Sequence, residues 1–138
     1  MALAATEAEL QRILDGVAFT RSYGFRVHTI DEGLCILAVP FQAAFERPGE
    51  IVSGQVFMAA ADVAMWLAIM TRLGPRDGSV TAGMTTAFLG AARRESFRCT
   101  AQILKLGQRL IYGTAESVTH DGRLLAHHSL TYARAVSR

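Results

Sequence analysis

Cysteine is scarce in this chain: only Cys35 and Cys99 occur, far apart and each within an apolar run. So placed, they give neither the C-x-x-C spacing of zinc and redox motifs nor the dense set of a secreted disulfide scaffold. Both read as small buried hydrophobes, and a reducing, cytoplasmic setting is expected. Charge is scarce too, with 19% of residues charged and a formal net charge of +2. Arg93–Arg94 is the one adjacent basic pair, and no aromatic series is interleaved with basic residues, so no nucleic-acid partner is expected. The histidines never fall at metal-ligand spacing. His127 and His128 are neighbours, which on a strand sends them to opposite faces, so no metal site is expected. A Gly-x-Ser-x-Gly elbow is missing, which argues against a Ser-His-Asp hydrolase. Residues 1–9 carry acids where a secretory leader would carry basic and then apolar residues, so no leader is expected there.

What the chain does have is apolar residues, 51% of its 138. The length suits a single domain, residues 1–138, with one core. So much apolar surface with so few charges points to burial between subunits, hence a homo-oligomer.

A helical segment is expected within residues 1–22. Thr6 can cap it with Glu9 three residues later, Leu10, Ile13 and Leu14 form a stripe, and Gly16 can end the first helix. Two extended runs, 24–30 and 34–39, flank Asp31-Glu-Gly33 and read as a hairpin. Residues 40–50, with Pro48 and Gly49, read as a loop. Next comes an apolar stretch, Gly54–Leu73, stopped by Gly74-Pro75. With one aspartate near its middle it reads as a core helix rather than a membrane span, and no membrane partner is expected. Four strands follow, at 80–89, 96–106, 110–119 and 124–136, joined at Gly107-Gln108 and His120-Asp121-Gly122. Antiparallel strands around one long helix make an α+β domain, and a helix apolar on all sides needs a curved sheet to cover it.

Asp62 is the most informative residue. Its neighbours one turn away, Met58, Ala59, Met65 and Trp66, are all apolar. A carboxylate in such surroundings is costly unless hydrogen bonded, paired or protonated. Desolvation disfavours the charged form of any carboxylate, the direction that general-base work near neutral pH requires. Gln55 lies two turns earlier on about the same face. The helix start is the second element. Ser53 is a candidate N-cap, Gly54 lets a ligand approach the backbone, and the first amide N–H groups have no partner inside the helix. A thioester carbonyl placed there would find the Gly54 and Gln55 amides as donors for its developing oxyanion, with the Asp62 carboxylate further along the helix.

Several stretches carry a family resemblance: Arg47-Pro-Gly-Glu-Ile-Val-Ser-Gly-Gln-Val56, Ala59-Ala-Ala-Asp-Val-Ala-Met65, Thr85-Thr-Ala-Phe-Leu89, Lys105-Leu-Gly-Gln-Arg109 and Asp121-Gly-Arg-Leu-Leu-Ala126. In this order they resemble the hotdog-fold thioesterases of the phenylacetate-degradation (PaaI-like) type. The resemblance implies a hotdog fold, in which the sheet wraps the long helix, and dimers that often pair into tetramers. It implies hydrolysis of an acyl-CoA to a free acid and coenzyme A, with no cofactor beyond the coenzyme A of the substrate. Asp62 takes the place of the family's catalytic carboxylate, which activates water or attacks the thioester. Family members commonly show His-Gly-Gly at the helix start, whereas here the triplet is Ser53-Gly54-Gln55. An asparagine often found shortly before falls at Arg47. A strand hydroxyl that positions water, contributed by the partner subunit, corresponds to Thr81, with Thr85 a nearby alternative.

By the same resemblance, Arg93, Arg94, Lys105 and Arg109 lie where coenzyme A phosphates are often held. Met58, Met65 and Trp66 are expected as core or pocket wall, while Phe88 and Tyr132 read as sheet packing. The rival to a thioesterase is a hotdog protein that holds an acyl-CoA or lipid without turning it over.

Overall fold

The computed structural model describes residues 2–135. Helix α1 (Glu7–Gly16) begins as expected: the Thr6 hydroxyl accepts from the Glu9 amide and the Glu9 side chain accepts from Thr6. The expected N-terminal helical segment is broken at Val17, whose extended backbone separates α1 from α2 (Ala18–Tyr23). Thr20 holds the break together by donating to the Leu14 carbonyl at 2.8 Å. Gly24, at φ 69°, ends α2 in the left-handed conformation that glycine adopts without strain.

Strands β1 (Arg26–Asp31) and β2 (Leu34–Val39) form the expected hairpin. The 40–50 segment is not wholly loop. A 3-10 turn (Ala43–Phe45) leads to β3 (Glu46–Arg47), which pairs with β4 (Ile51–Val52). Helix α3 (Gly54–Leu73) follows, then β5 (Val80–Phe88), β6 (Phe97–Leu106), β7 (Leu110–Thr119) and β8 (Leu124–Ala133). The expected continuation of the last strand to Val136 lies outside the described residues.

The six long strands form one antiparallel sheet in the order β1-β2-β6-β7-β8-β5. It curves around α3, which is the hotdog arrangement. Alternation sets the inner face: Leu37, Phe97, Cys99, Ala101, Ile111, Ala115, Leu130 and Tyr132 are all buried. Beneath the helix these positions are small. Gly113 lies so close that a β-carbon there would strike the Met65 methyl and the Gln102 carbonyl. Facing it, α3 presents Ala60, Ala61, Ala64 and Ala68, all fully buried. Small residues on both sides let helix and sheet approach closely, and that seats α3 deeply. α3 is long and apolar enough to cross a membrane, yet 67% of its apolar window is buried inside the domain.

Both cysteines are buried and unbridged on this inner face, and burial pushes each thiol up to about 12. Such thiols stay protonated and chemically quiet.

Candidate active site

The sheet does not cover α3 on every side. A stripe of the helix stays open: Gln55 and Met58 are exposed, and Ala59, Asp62 and Trp66 are half-buried. The spacing is three or four residues, one face of a helix. Asp62 sits on this stripe at the floor of an open cleft of about 420 Å³. Phe19 of α2, Val63 and Trp66 of α3 and Val80 of β5 form the apolar walls. Among the described lining residues, Asp62 is the sole carboxylate and no basic side chain is present.

Two hydroxyls meet at one oxygen of Asp62. Thr81 donates to Oδ1 at 2.7 Å and Tyr132 donates to the same atom at 2.6 Å. The Tyr132 hydroxyl also lies 2.8 Å from the Asp62 backbone carbonyl. Thr81 and Tyr132 are directly opposed on the β5–β8 ladder, so both hydroxyls come from one cross-strand pair. Burial, followed by the adjacent Asp62 charge, drives the phenol far above the ordinary tyrosine range, so Tyr132 is a permanent donor.

An irregularity in β5 selects which threonine faces the helix. Pairing runs regularly from Phe88 down to Gly83, skips Ala82, and resumes at Thr81. The extra residue places Thr81 on the inner face with Met84, Thr86 and Phe88, whereas Thr85, opposite Ser129 in the regular stretch, faces outward. Thr85, the expected alternative hydroxyl, therefore points away from Asp62. Thr81 meets the aspartate of its own chain, where the resemblance implied service to a partner. Of the three residues expected as core or pocket wall, Met65 belongs to the core, 1% exposed and packed down onto the sheet, whereas Met58 and Trp66 stay on the open stripe.

The helix start is a separate place. Gly54 and Asp62 are eight residues apart, which is about 12 Å along a helix axis. One carbonyl group cannot touch both within a chain. Ser53 caps the helix, its hydroxyl accepting from the Gln55 amide at 3.4 Å, while the Gly54 amide has no hydrogen-bond partner among the described residues. Of the two amides expected to hold an oxyanion, Gly54 is thus the unengaged one. Beside it opens a second cleft of about 450 Å³, lined by Tyr23, Gln42, Arg47, Ser53 and Gln55 among others. The smallness of Gly54 has a local cause as well: the Phe88 ring lies where a side chain would go.

The basic residues do not gather. Arg94 is engaged by Glu46 at 3.2 Å and Glu50 at 3.1 Å, and Arg93 donates to the Gly49 carbonyl. Together they clip the loop before β6 onto the β3–β4 turn. Arg109 lies in the β6–β7 turn with Lys105 nearby on β6, at the far end of a ten-residue strand. At about 3.3 Å per residue the two groups stand roughly 30 Å apart, so one chain does not offer them to a single phosphate-bearing ligand.

Tyr132 is the site residue that sequence reasoning assigned to sheet packing. Its burial fits that reading, but its hydroxyl reaches Asp62 across 70 positions of sequence. The usable signal was a tyrosine facing the only acid of the core helix, and it needed the strand register to be visible. His128 is likewise inward and fully buried, with Nδ1 at 2.8 Å from the Thr86 hydroxyl.

The thioesterase superfamily model matches residues 49–126. An inferred esterase of Thermoplasma acidophilum is 26% identical over 124 residues, which is 90% of this chain and 93% of that protein. Among solved structures, a thioesterase from Haemophilus influenzae superposes with a TM-score of 0.87 at 18% identity, covering 96% of this chain and 94% of the other. The PaaI protein of the Escherichia coli phenylacetic acid degradation operon gives 0.84 at 17% identity, covering 96% and 98%. At such identities the two structures speak for the fold.

Proposed function

The chain belongs to the thioesterase superfamily, and from that membership we propose that it hydrolyses an acyl-CoA thioester to a free acid and coenzyme A. The single observation that carries this reading is Asp62. It is a carboxylate with one oxygen fixed by two hydroxyls, at the floor of an apolar cleft that opens outward. The neutral walls suit an uncharged acyl group, since a charged one would lose its hydration there without a partner.

The reaction needs a group to generate or replace the attacking water and donors for the oxyanion. Asp62 supplies the first, either by taking a proton from water as it adds to the carbonyl carbon or by adding directly to form an anhydride that water then opens. The unengaged Gly54 amide, at the positive end of the helix dipole, supplies the second. The roughly 12 Å between them within a chain calls for a second copy, so that one protomer's helix start faces the Asp62 of its partner. β5 supports this arrangement. It ends the sheet, its outer edge has no strand beside it among the described residues, and Val80 and Phe88 on it are 62% and 55% exposed. A long, bare edge of this kind is suited to pairing with another strand. In this reading the protein is a homo-oligomer built on dimers, and the chemistry calls on no metal or redox cofactor.

The test is release of free thiol across a panel of acyl-CoAs by wild type and Asp62→Asn, with sedimentation to fix the oligomeric state. Expected are turnover by a dimer or larger assembly and a loss of two or more orders of magnitude in Asp62→Asn. Tight acyl-CoA binding without thiol release would support the non-catalytic alternative instead.

A further inference from the structure

We propose that Tyr132 is a positioning residue, which fixes the Asp62 carboxylate so that Oδ2 is its working oxygen. The inference rests on Asp62 being the reactive carboxylate of the hydrolysis proposed above. An aspartate's terminal torsion is broad and soft, so the carboxylate plane of a free side chain swings widely. Here that swing is stopped from two directions. Thr81 on β5 and Tyr132 on β8 both donate to Oδ1, and Oδ2 has no protein partner among the described residues.

The two clamps are not equivalent. Thr81 is exposed and its hydroxyl can rotate to other acceptors, whereas Tyr132 is 3% exposed and its ring is held rigidly in the core. Its hydroxyl also sits 2.8 Å from the Asp62 main-chain carbonyl, so the phenol registers the carboxylate against the helix backbone itself. A half-exposed aspartate has no need of a buried phenol for its solvation, because water in the open cleft could serve it. Orientation is what the phenol adds. Burial and the neighbouring charge keep Tyr132 protonated, and its hydroxyl is taken up by Asp62, so its action runs through that residue.

The test is a double-mutant cycle on the full-length protein, read as steady-state thiol release from the best acyl-CoA, with melting temperature measured alongside. Tyr132→Phe keeps the ring and removes the hydroxyl. Expected is a fall in kcat of about 10- to 100-fold, the cost of slight misplacement of a reacting group, with KM within about twofold of wild type. In the Asp62→Asn background the same substitution should cause no further loss, because the group it positions is gone. Equal losses in both backgrounds would assign Tyr132 a structural role and overturn the proposal. Should Tyr132→Phe fail to fold, difluorotyrosine at position 132 preserves the shape and alters donor strength: kcat that follows donor strength supports the proposal, and unchanged kcat overturns it. The two levels separate cleanly. An inactive wild type, or an Asp62→Asn as fast as wild type, removes the hydrolase reading itself; an active wild type, a slow Asp62→Asn and an unchanged Tyr132→Phe remove only the role of Tyr132.

Discussion

The Phe88 ring fills the space into which a side chain on Gly54 would project: a β-carbon there would lie 2.8 Å from Cε1. The glycine at the helix start thus answers to packing inside the chain as well as to any ligand outside it. Because that ring is largely exposed and can swing aside, Gly54→Ala is expected to destabilise the fold by about 1 kcal/mol or less, below the usual cost of an overpacked core contact. Adding Phe88→Ala should restore much of the loss in chemical denaturation. If the double variant regains stability but not turnover, close approach of the substrate to the backbone at position 54, rather than the ring contact alone, matters to the chemistry.

Phe19 stands on the short helix α2 and forms part of the apolar wall of the Asp62 cleft. Phe19→Ala should raise KM for long or aromatic acyl-CoAs by about 10-fold, on the scale of 1–3 kcal/mol for a modest change in an apolar pocket, and should leave kcat less affected. Initial rates against chain length would check this. A KM that rises equally for acetyl-CoA would place Phe19 outside the acyl pocket.

His128 gives the fold a pH dependence. Burial, and secondarily the neighbouring His127, lower its pKa to about 4 from the ordinary 6.5. The folded protein therefore holds the ring neutral where the unfolded chain would protonate it. Protons bind preferentially to the unfolded state between these values, so this contribution to stability is fully present above about pH 6.5 and is lost as pH falls toward 4. Melting temperature measured from pH 7.5 to 4 should fall through that window, and less steeply in His128→Gln.

Arg94 holds φ 49°, a left-handed conformation, while pairing with two glutamates at the surface. A left-handed non-glycine residue costs about 1–2 kcal/mol, and exposed ion pairs return at most about 1. Arg94→Gly should accordingly be more stable than Arg94→Ala by about 1 kcal/mol in urea unfolding. Because its charge is already balanced, Arg94→Ala should change KM for acyl-CoA by less than about threefold.

Much of the fold was legible because its signals are local. Ser53 and Gly74 bracket α3 where cap chemistry puts them, and the capping box at Thr6 and Glu9 starts α1. The strands follow from alternation and the turns from glycine. Asp62 stood out as the lone acid of an apolar helix. The rest depended on relations between elements. Tyr132 gains its second role only once β8 is paired with β5, and Met65 is seen to be core rather than pocket wall only once the close approach of Gly113 beneath it is known. Arg93, Arg94, Lys105 and Arg109 were expected where coenzyme A phosphates are held, and the length of β6 sets them at opposite ends of that strand. Coverage of α3 on nearly every side was expected, and the sheet provides it apart from the open stripe from Gln55 to Trp66; apolar composition does not reveal where such a gap falls.

The skipped Ala82 in β5 gives the strand two independent phases, one carrying Thr81 and the other carrying Met84, Thr86 and Phe88. Sliding that single residue one place along the ribbon would exchange which side chain looks onto the carboxylate while the remainder of the edge kept its alignment. What meets Asp62 is therefore set by where the strand holds its extra residue as much as by which side chains it carries, a dependence that no scan of single side-chain replacements would reveal.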